Sequence, residues 1–147
     1  MISVLESAKD ALTIRYSLLP FLYSLFVKSH LFGHPVVTPT FFHANPGDKL
    51  AYGVDWQMFW GSGLLIVPVL QENVLQVDAY LPSGIWYDFR TMQRIHAKVP
   101  GFVSLEAPLT TIPLLGMVSN KMPISLLKKG AYFFSASGII LSHILQN

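Results

Sequence analysis

The stretch Ala11-Leu12-Thr13-Ile14-Arg15-Tyr16-Ser17-Leu18-Leu19-Pro20-Phe21-Leu22-Tyr23-Ser24-Leu25 decides how this chain is read. Leu12, Tyr16, Leu19, Tyr23 and Phe26 recur at steps of three and four, the period that lines one face of an α-helix. The spacing predicts a helix over residues 7–32. Ser7 is placed to cap it, Asp10 sits near its positive end, and Gly33 supplies a stop. Pro20 lies inside the segment, removes one helical hydrogen bond and crowds the previous turn, so a kink is expected there.

Working outward, Pro35 to Phe42 is rich in β-branched and aromatic residues and reads as a short strand. Asn45-Pro46-Gly47-Asp48 is a loop signal. Residues 54–60 read as an aromatic-rich turn or short helix, broken by Gly61-Ser62-Gly63. Leu64 to Leu70 reads as a buried strand that Pro68 restricts to an edge or bulge. From about residue 74 the pattern changes to short strands separated by turns: 74–81, 85–89 and 101–105. That is how a small antiparallel β-domain reads. The change places a domain boundary near residue 70. After Pro113 regularity is lost; 121–129 fits a short amphipathic helix, and 131–145 fits a helix or two strands.

Composition narrows the classes. The 147 residues are 52% hydrophobic and 12% charged, against about 25% charged in ordinary soluble domains. A chain of this size hides that much apolar side chain with difficulty, which suggests a segment built to pack against other protein. A membrane span is disfavoured: Leu18 to Val27 is short and interrupted by Pro20 and Ser24, while Ala131 to Leu145 carries Ser135, Ser137, Ser142 and His143. No basic region followed by an apolar run opens the chain, so no secretory signal is read, and localisation stays open. Net charge is +2 with no basic run longer than Lys128-Lys129, so no nucleic-acid partner is expected. The absence of cysteine excludes a disulfide framework and thiol chemistry.

Four blocks in order carry a resemblance to a known family. Residues 11–25 resemble a hallmark helix of glycoside hydrolase family 31, in the branch of the intestinal maltase–glucoamylase and sucrase–isomaltase enzymes. Gly33-His34-Pro35-Val36-Val37 with Pro39 resembles that family's last barrel strand. Asp55-Trp56-Gln57-Met58-Phe59-Trp60-Gly61, through Pro68-Val69-Leu70, resembles the run leading out of the barrel. Asp78-Ala79-Tyr80-Leu81-Pro82, Trp86-Tyr87-Asp88 and Ala107-Pro108-Leu109 resemble the proximal C-terminal β-domain. The chain departs from the pattern at Thr38, where the family usually carries arginine. It departs again at His43 and Ala44, where an acidic residue is usual. It also lacks the Arg-Gly-Gly turn that normally follows Pro108-Leu109.

The resemblance implies an incomplete α/β plus β architecture: the C-terminal end of a (β/α)8 TIM barrel followed by a small antiparallel β-sandwich domain. Residues 1–70 would be the last helix–strand–helix portion of the barrel, 71–113 the start of the β-domain and 114–147 a divergent tail. The parent activity implied is hydrolysis of terminal α-linked glucose in maltose-like sugars. Its two catalytic aspartates and its sugar-gripping arginine and histidine would lie upstream of Met1, so no catalytic residue is carried over, substrate-binding residues stay unassigned, and this piece is expected to be inactive by itself. The partners implied are an α-glucoside or maltose-like sugar for the parent, and a protein partner covering exposed barrel edges. The alternative is a non-catalytic carbohydrate-binding or interaction module.

The residues themselves point the same way. A retaining glycosidase needs two carboxylates roughly 5–5.5 Å apart. Of the eight acidic residues, Asp48 and Asp55 share one loop region, but a turn role for Asp48 and a helix cap for Asp55 explain both. Asp78 and Asp88 fit strand ends or solvent. His30 and His34 are four apart, yet Gly33 breaks the helix between them and no third ligand is near. No metal and no cofactor are expected. Trp56, Trp60, Trp86 and Tyr87 have the shape to stack on sugar, but core filling accounts for them more simply.

Overall fold

The computed structural model describes residues 4–118. A long helix, α1 (Val4–Phe32), leads into eight short strands: β1 (Val37–Pro39), β2 (Met58–Trp60), β3 (Leu64–Ile66), β4 (Gln76–Leu81), β5 (Gly84–Asp88), β6 (Arg94–Ala97), β7 (Gly101–Glu106) and β8 (Leu114–Val118). A one-turn helix, α2 (Lys49–Tyr52), and a 3-10 turn (Thr40–Phe42) lie between β1 and β2.

The strands form a six-stranded sheet in the order β1-β2-β3-β8-β5-β6 and a two-stranded ribbon β4-β7. Every pairing among the described residues is antiparallel. No parallel β–α–β unit, the unit a barrel is built from, occurs among the described residues, whose strands form an antiparallel β-domain. β8 returns between β3 and β5, pairing Leu64 with Gly116 and Ile85 with Val118. The sheet thus joins segments on both sides of residue 70, and the change of pattern there is not a break in it.

The core fills between the sheet and the ribbon. Phe59, Leu65, Val67, Ala79, Leu81, Trp86 and Leu115 are each fully buried in one cluster. Strand alternation does this sorting: Val77, Ala79 and Leu81 of β4 face this core with Val103 and Leu105 of β7, and the intervening residues take the opposite face, where Tyr80 is buried against Ala51 and Val54.

Several local expectations are corrected. The helix starts before Ser7, and Pro20 lies inside it without ending it. Ser24 Oγ donates to the Pro20 carbonyl at 2.8 Å, a bond available on that turn whatever the proline removes. Residues 58–60 are a strand, not a turn or helix, because β1 and β3 flank them on both sides. β3 is interior to the sheet; it ends at Ile66, so Pro68 falls outside it. Pro39 does sit on an edge strand, where a missing N–H costs no ladder bond. β6 and β8 were not read from the sequence. The helix and strands considered for 121–145 lie outside the described residues.

Helix α1 buries only Leu18 and Leu25. Leu12, Tyr16, Leu19, Tyr23 and Phe26, the stripe that announced the helix, are all exposed. The contact that holds α1 is close: Gly61 is in the left-handed region at φ +57°, and a Cβ there would meet Leu25 Cδ2 at 2.7 Å. An ion pair between Asp10 and Arg90 ties the helix to the β5–β6 turn.

Candidate functional site

Each strand of the ribbon β4-β7 pairs only with the other, so β4 has a free edge. A free edge presents unpaired backbone groups and is a template for unwanted pairing. Two consecutive side chains close it. Trp56 Nε1 donates to the Asp78 carbonyl at 3.0 Å. The Gln57 amide donates from Nε2 to the Tyr80 carbonyl at 2.8 Å and accepts from the Tyr80 N–H at 2.9 Å. Residues 78 and 80 direct their backbone groups to the same side. Trp56-Gln57 therefore acts as a stand-in strand. The Gln57 amide reproduces a peptide group and is itself buried.

Beside this edge, Asp48 caps α2 by accepting from the Leu50 N–H at 3.1 Å, and its other oxygen accepts from the Tyr80 hydroxyl. Burial pushes the Tyr80 phenol up, and the Asp48 carboxylate adds to this in the same direction. Tyr80 stays a donor throughout the ordinary pH range. Asp48 is thus committed to structure. The helix cap falls to Asp48 and not to Asp55, which is exposed.

The other singled-out residues are dispersed. Asp88 folds a turn, accepting from the N–H groups of Arg90 and Thr91 and the Thr91 hydroxyl. Asp10 is taken by Arg90. His30 and His34 are both exposed, and Gly33 at φ +71° separates them. No group of three or more metal-ligating side chains occurs among the described residues. Trp86 and Tyr87 are buried and serve packing, and Trp60 is half-buried. Trp56 is also half-buried, but it stacks on Phe102 with ring centroids 6.2 Å apart, and Phe102 faces solvent.

Two departures from the family pattern meet in space. Thr38 Oγ1 lies 2.7 Å from His43 Nε2 and 3.4 Å from the Gly61 carbonyl. The His43 ring packs on Phe59 at 4.3 Å between centroids. Burial lowers the His43 pKa, with a hydrogen bond to the Gly61 backbone acting against it. The folded chain thus resists protonating His43, whereas the unfolded chain takes the proton near the ordinary value of 6.5. Its contribution is neutral above that value, and stability falls as pH drops below it. Denaturant midpoints between about pH 8 and pH 5 should decline less steeply for His43→Gln than for the native chain; equal slopes would remove His43 from the account.

Sequence reasoning missed Gln57. A glutamine next to a tryptophan gives no signal of burial; only an unpaired strand edge nearby explains it. A shallow open groove of about 580 Å³, lined by Asn73, Val74, Leu75, Gln76, Glu106 and Pro108, lies at the far end of the ribbon.

The model for the glycosyl hydrolase family 31 C-terminal domain matches residues 33–117. A probable alpha-glucosidase of Oryza sativa subsp. japonica is 42% identical over 113 residues, which cover 75% of this chain and 12% of that protein. Intestinal sucrase-isomaltase of Rattus norvegicus is 43% identical over 103 residues, covering 65% of this chain and 6% of that protein. Among solved structures, a Flavobacterium johnsoniae family 31 dextranase complexed with isomaltotriose superposes with a TM-score of 0.70 at 28% identity, covering 79% of this chain and 14% of that one. The chain spans 6–14% of the length of these relatives.

Proposed function

This chain belongs to glycoside hydrolase family 31, and from that premise we propose that it serves as a structural portion of an α-glucosidase, buttressing a sugar-cleaving site made elsewhere. On this reading α1 closes a (β/α)8 barrel, the β1 stretch supplies its last strand, and the antiparallel domain braces the barrel's end. The parent reaction is hydrolysis of terminal α-linked glucose in maltose-like oligosaccharides. The catalytic carboxylates come from outside residues 4–118, and by itself this segment turns over no glucoside.

The observation that carries the proposal is the exposed stripe on α1. Five large apolar or aromatic residues at helical spacing lie in water while Leu18 and Leu25 alone are buried. An amphipathic helix normally buries that stripe. Here the sheet takes only the other side, so a second apolar surface is required on the outside, as helices enclosing a barrel have. The carboxylates support it too: Asp10, Asp48 and Asp88 are engaged in ion pairs, caps and turns.

Two measurements test this. Purified chain on a chromogenic α-glucoside should show no turnover above buffer. Exchanging residues 4–118 for the matching segment of the rice relative should keep α-glucosidase activity in the chimera. Turnover by the chain alone, or a folded but inactive chimera, overturns the reading.

A further inference from the structure

The outer face of the β4-β7 ribbon carries exposed polar side chains beside aromatic rings. Its rungs are Gln76–Glu106, Asp78–Ser104 and Tyr80–Phe102. Four residues of β4 separate the first rung from the last, about 14 Å at 3.4 Å per residue. Gln76, Asp78, Ser104 and Glu106 are exposed. At one end stand the stacked rings of Trp56 and Phe102. At the other the 580 Å³ groove includes Gln76 and Glu106 in its lining. The wall behind the rings is Tyr80, packed under Ala51 and Val54 of the α2 segment.

We propose that this face binds a short neutral α-glucan oligosaccharide, its sugar rings on Trp56 and Phe102 and its hydroxyl groups along Asp78, Ser104, Gln76 and Glu106. The chemistry matches on both counts. Pyranose C–H faces are apolar and settle on aromatic faces, as Phe102 at 46% exposure offers. Sugar hydroxyls are donors in excess, and carboxylates, amides and hydroxyls in a row accept and return their bonds. A small number of placed polar groups beside aromatic rings is the usual make-up of a ligand site.

A protein partner fits this face poorly. Burying Asp78 and Glu106 against protein without cationic partners costs desolvation that nothing repays. The α1 stripe, entirely apolar and aromatic, is the surface suited to protein. The choice of an α-glucan rests on the family reading; the position and composition of the site do not.

The test is titration of the full chain with maltotriose and with isomaltotriose, followed by tryptophan fluorescence and by chemical shifts of the ribbon amides. Trp56 is the tryptophan at the site, Trp86 is fully buried and Trp60 is half-buried on β2, so the ribbon amide shifts identify the face that responds. Binding should saturate for at least one sugar. Phe102→Ala should weaken it about tenfold, and Asp78→Asn severalfold, with far-ultraviolet circular dichroism unchanged in both. No saturable change with either sugar, or equal affinity in both variants, overturns the proposal. Shifts confined to α1 rather than the ribbon would also overturn it. Failure here leaves the chimera result standing, and an inactive chimera leaves this titration standing, so the two readings fail separately.

Discussion

Trp86→Ala lowers the unfolding free energy by about 3–5 kcal/mol, a large part of the 5–15 kcal/mol typical of a whole domain. Trp86 is fully buried and is the largest such side chain described. It sits on β5 beside β6 and β8 and meets Phe59 of β2 at 6.0 Å between ring centroids. One indole therefore bridges strands from both halves of the six-stranded sheet. Its removal leaves a cavity that surrounding strands cannot fill without moving their ladders. The indole N–H also donates to the Pro82 carbonyl at 3.0 Å, and that buried acceptor would lose its partner. Trp86→Phe separates the two effects: it keeps a ring and deletes the N–H, for a loss of about 1–3 kcal/mol. Chemical denaturation of both variants checks this. Similar losses would mean the hydrogen bond, not packing, dominates; a loss under 1 kcal/mol for the alanine would remove Trp86 from the centre of the core.

Gln57→Ala is expected to be nearly as damaging for a different reason. It removes little apolar area, but it strips the Tyr80 N–H and C=O of their partners at the buried edge of β4. Each unsatisfied buried group costs about 1–3 kcal/mol, so a loss of roughly 2–5 kcal/mol follows. Gln57→Glu is the sharper probe. A carboxylate still accepts from the Tyr80 N–H but has no proton for the Tyr80 carbonyl, and its charge is buried. Protonation restores the donor, so this variant should gain stability relative to native as pH falls, opposite in sign to the His43 trend. Hydrogen exchange at the Tyr80 amide reads the local effect: protection should be lost in Gln57→Ala and recovered in Gln57→Glu at acid pH. Unchanged exchange would show that water replaces the amide without cost. An opened β4 edge should also raise aggregation.

Both variants concern residues the sequence presents plainly, yet with different legibility. Trp86 lies in an apolar run, and its burial was the simpler reading. Gln57 lies in the block that carries the resemblance, and nothing in that block says the amide faces a strand edge. The candidate site was legible only as a set of aromatics; which of them faces solvent was not.

What the sequence by itself determined is the local and the patterned: the α1 helix from its three-and-four spacing, β4, β5 and β7 from short strands between turns, and the family from four blocks in order. What only the tertiary structure decided is non-local. β8 enters between β3 and β5, some fifty residues after the former, and no propensity of Leu114–Val118 encodes that partner. β2, three residues long, is too short to show an alternation, and β1 and β3 lie in stretches that read as strands but whose partners and ends no local pattern gives. The α1 stripe announced a helix but not its surroundings, because a period reports which residues share a face and not what lies against it. Thr38 with His43, and Trp56 with Asp78, acquire their roles only when pairing brings distant backbone within hydrogen-bond reach.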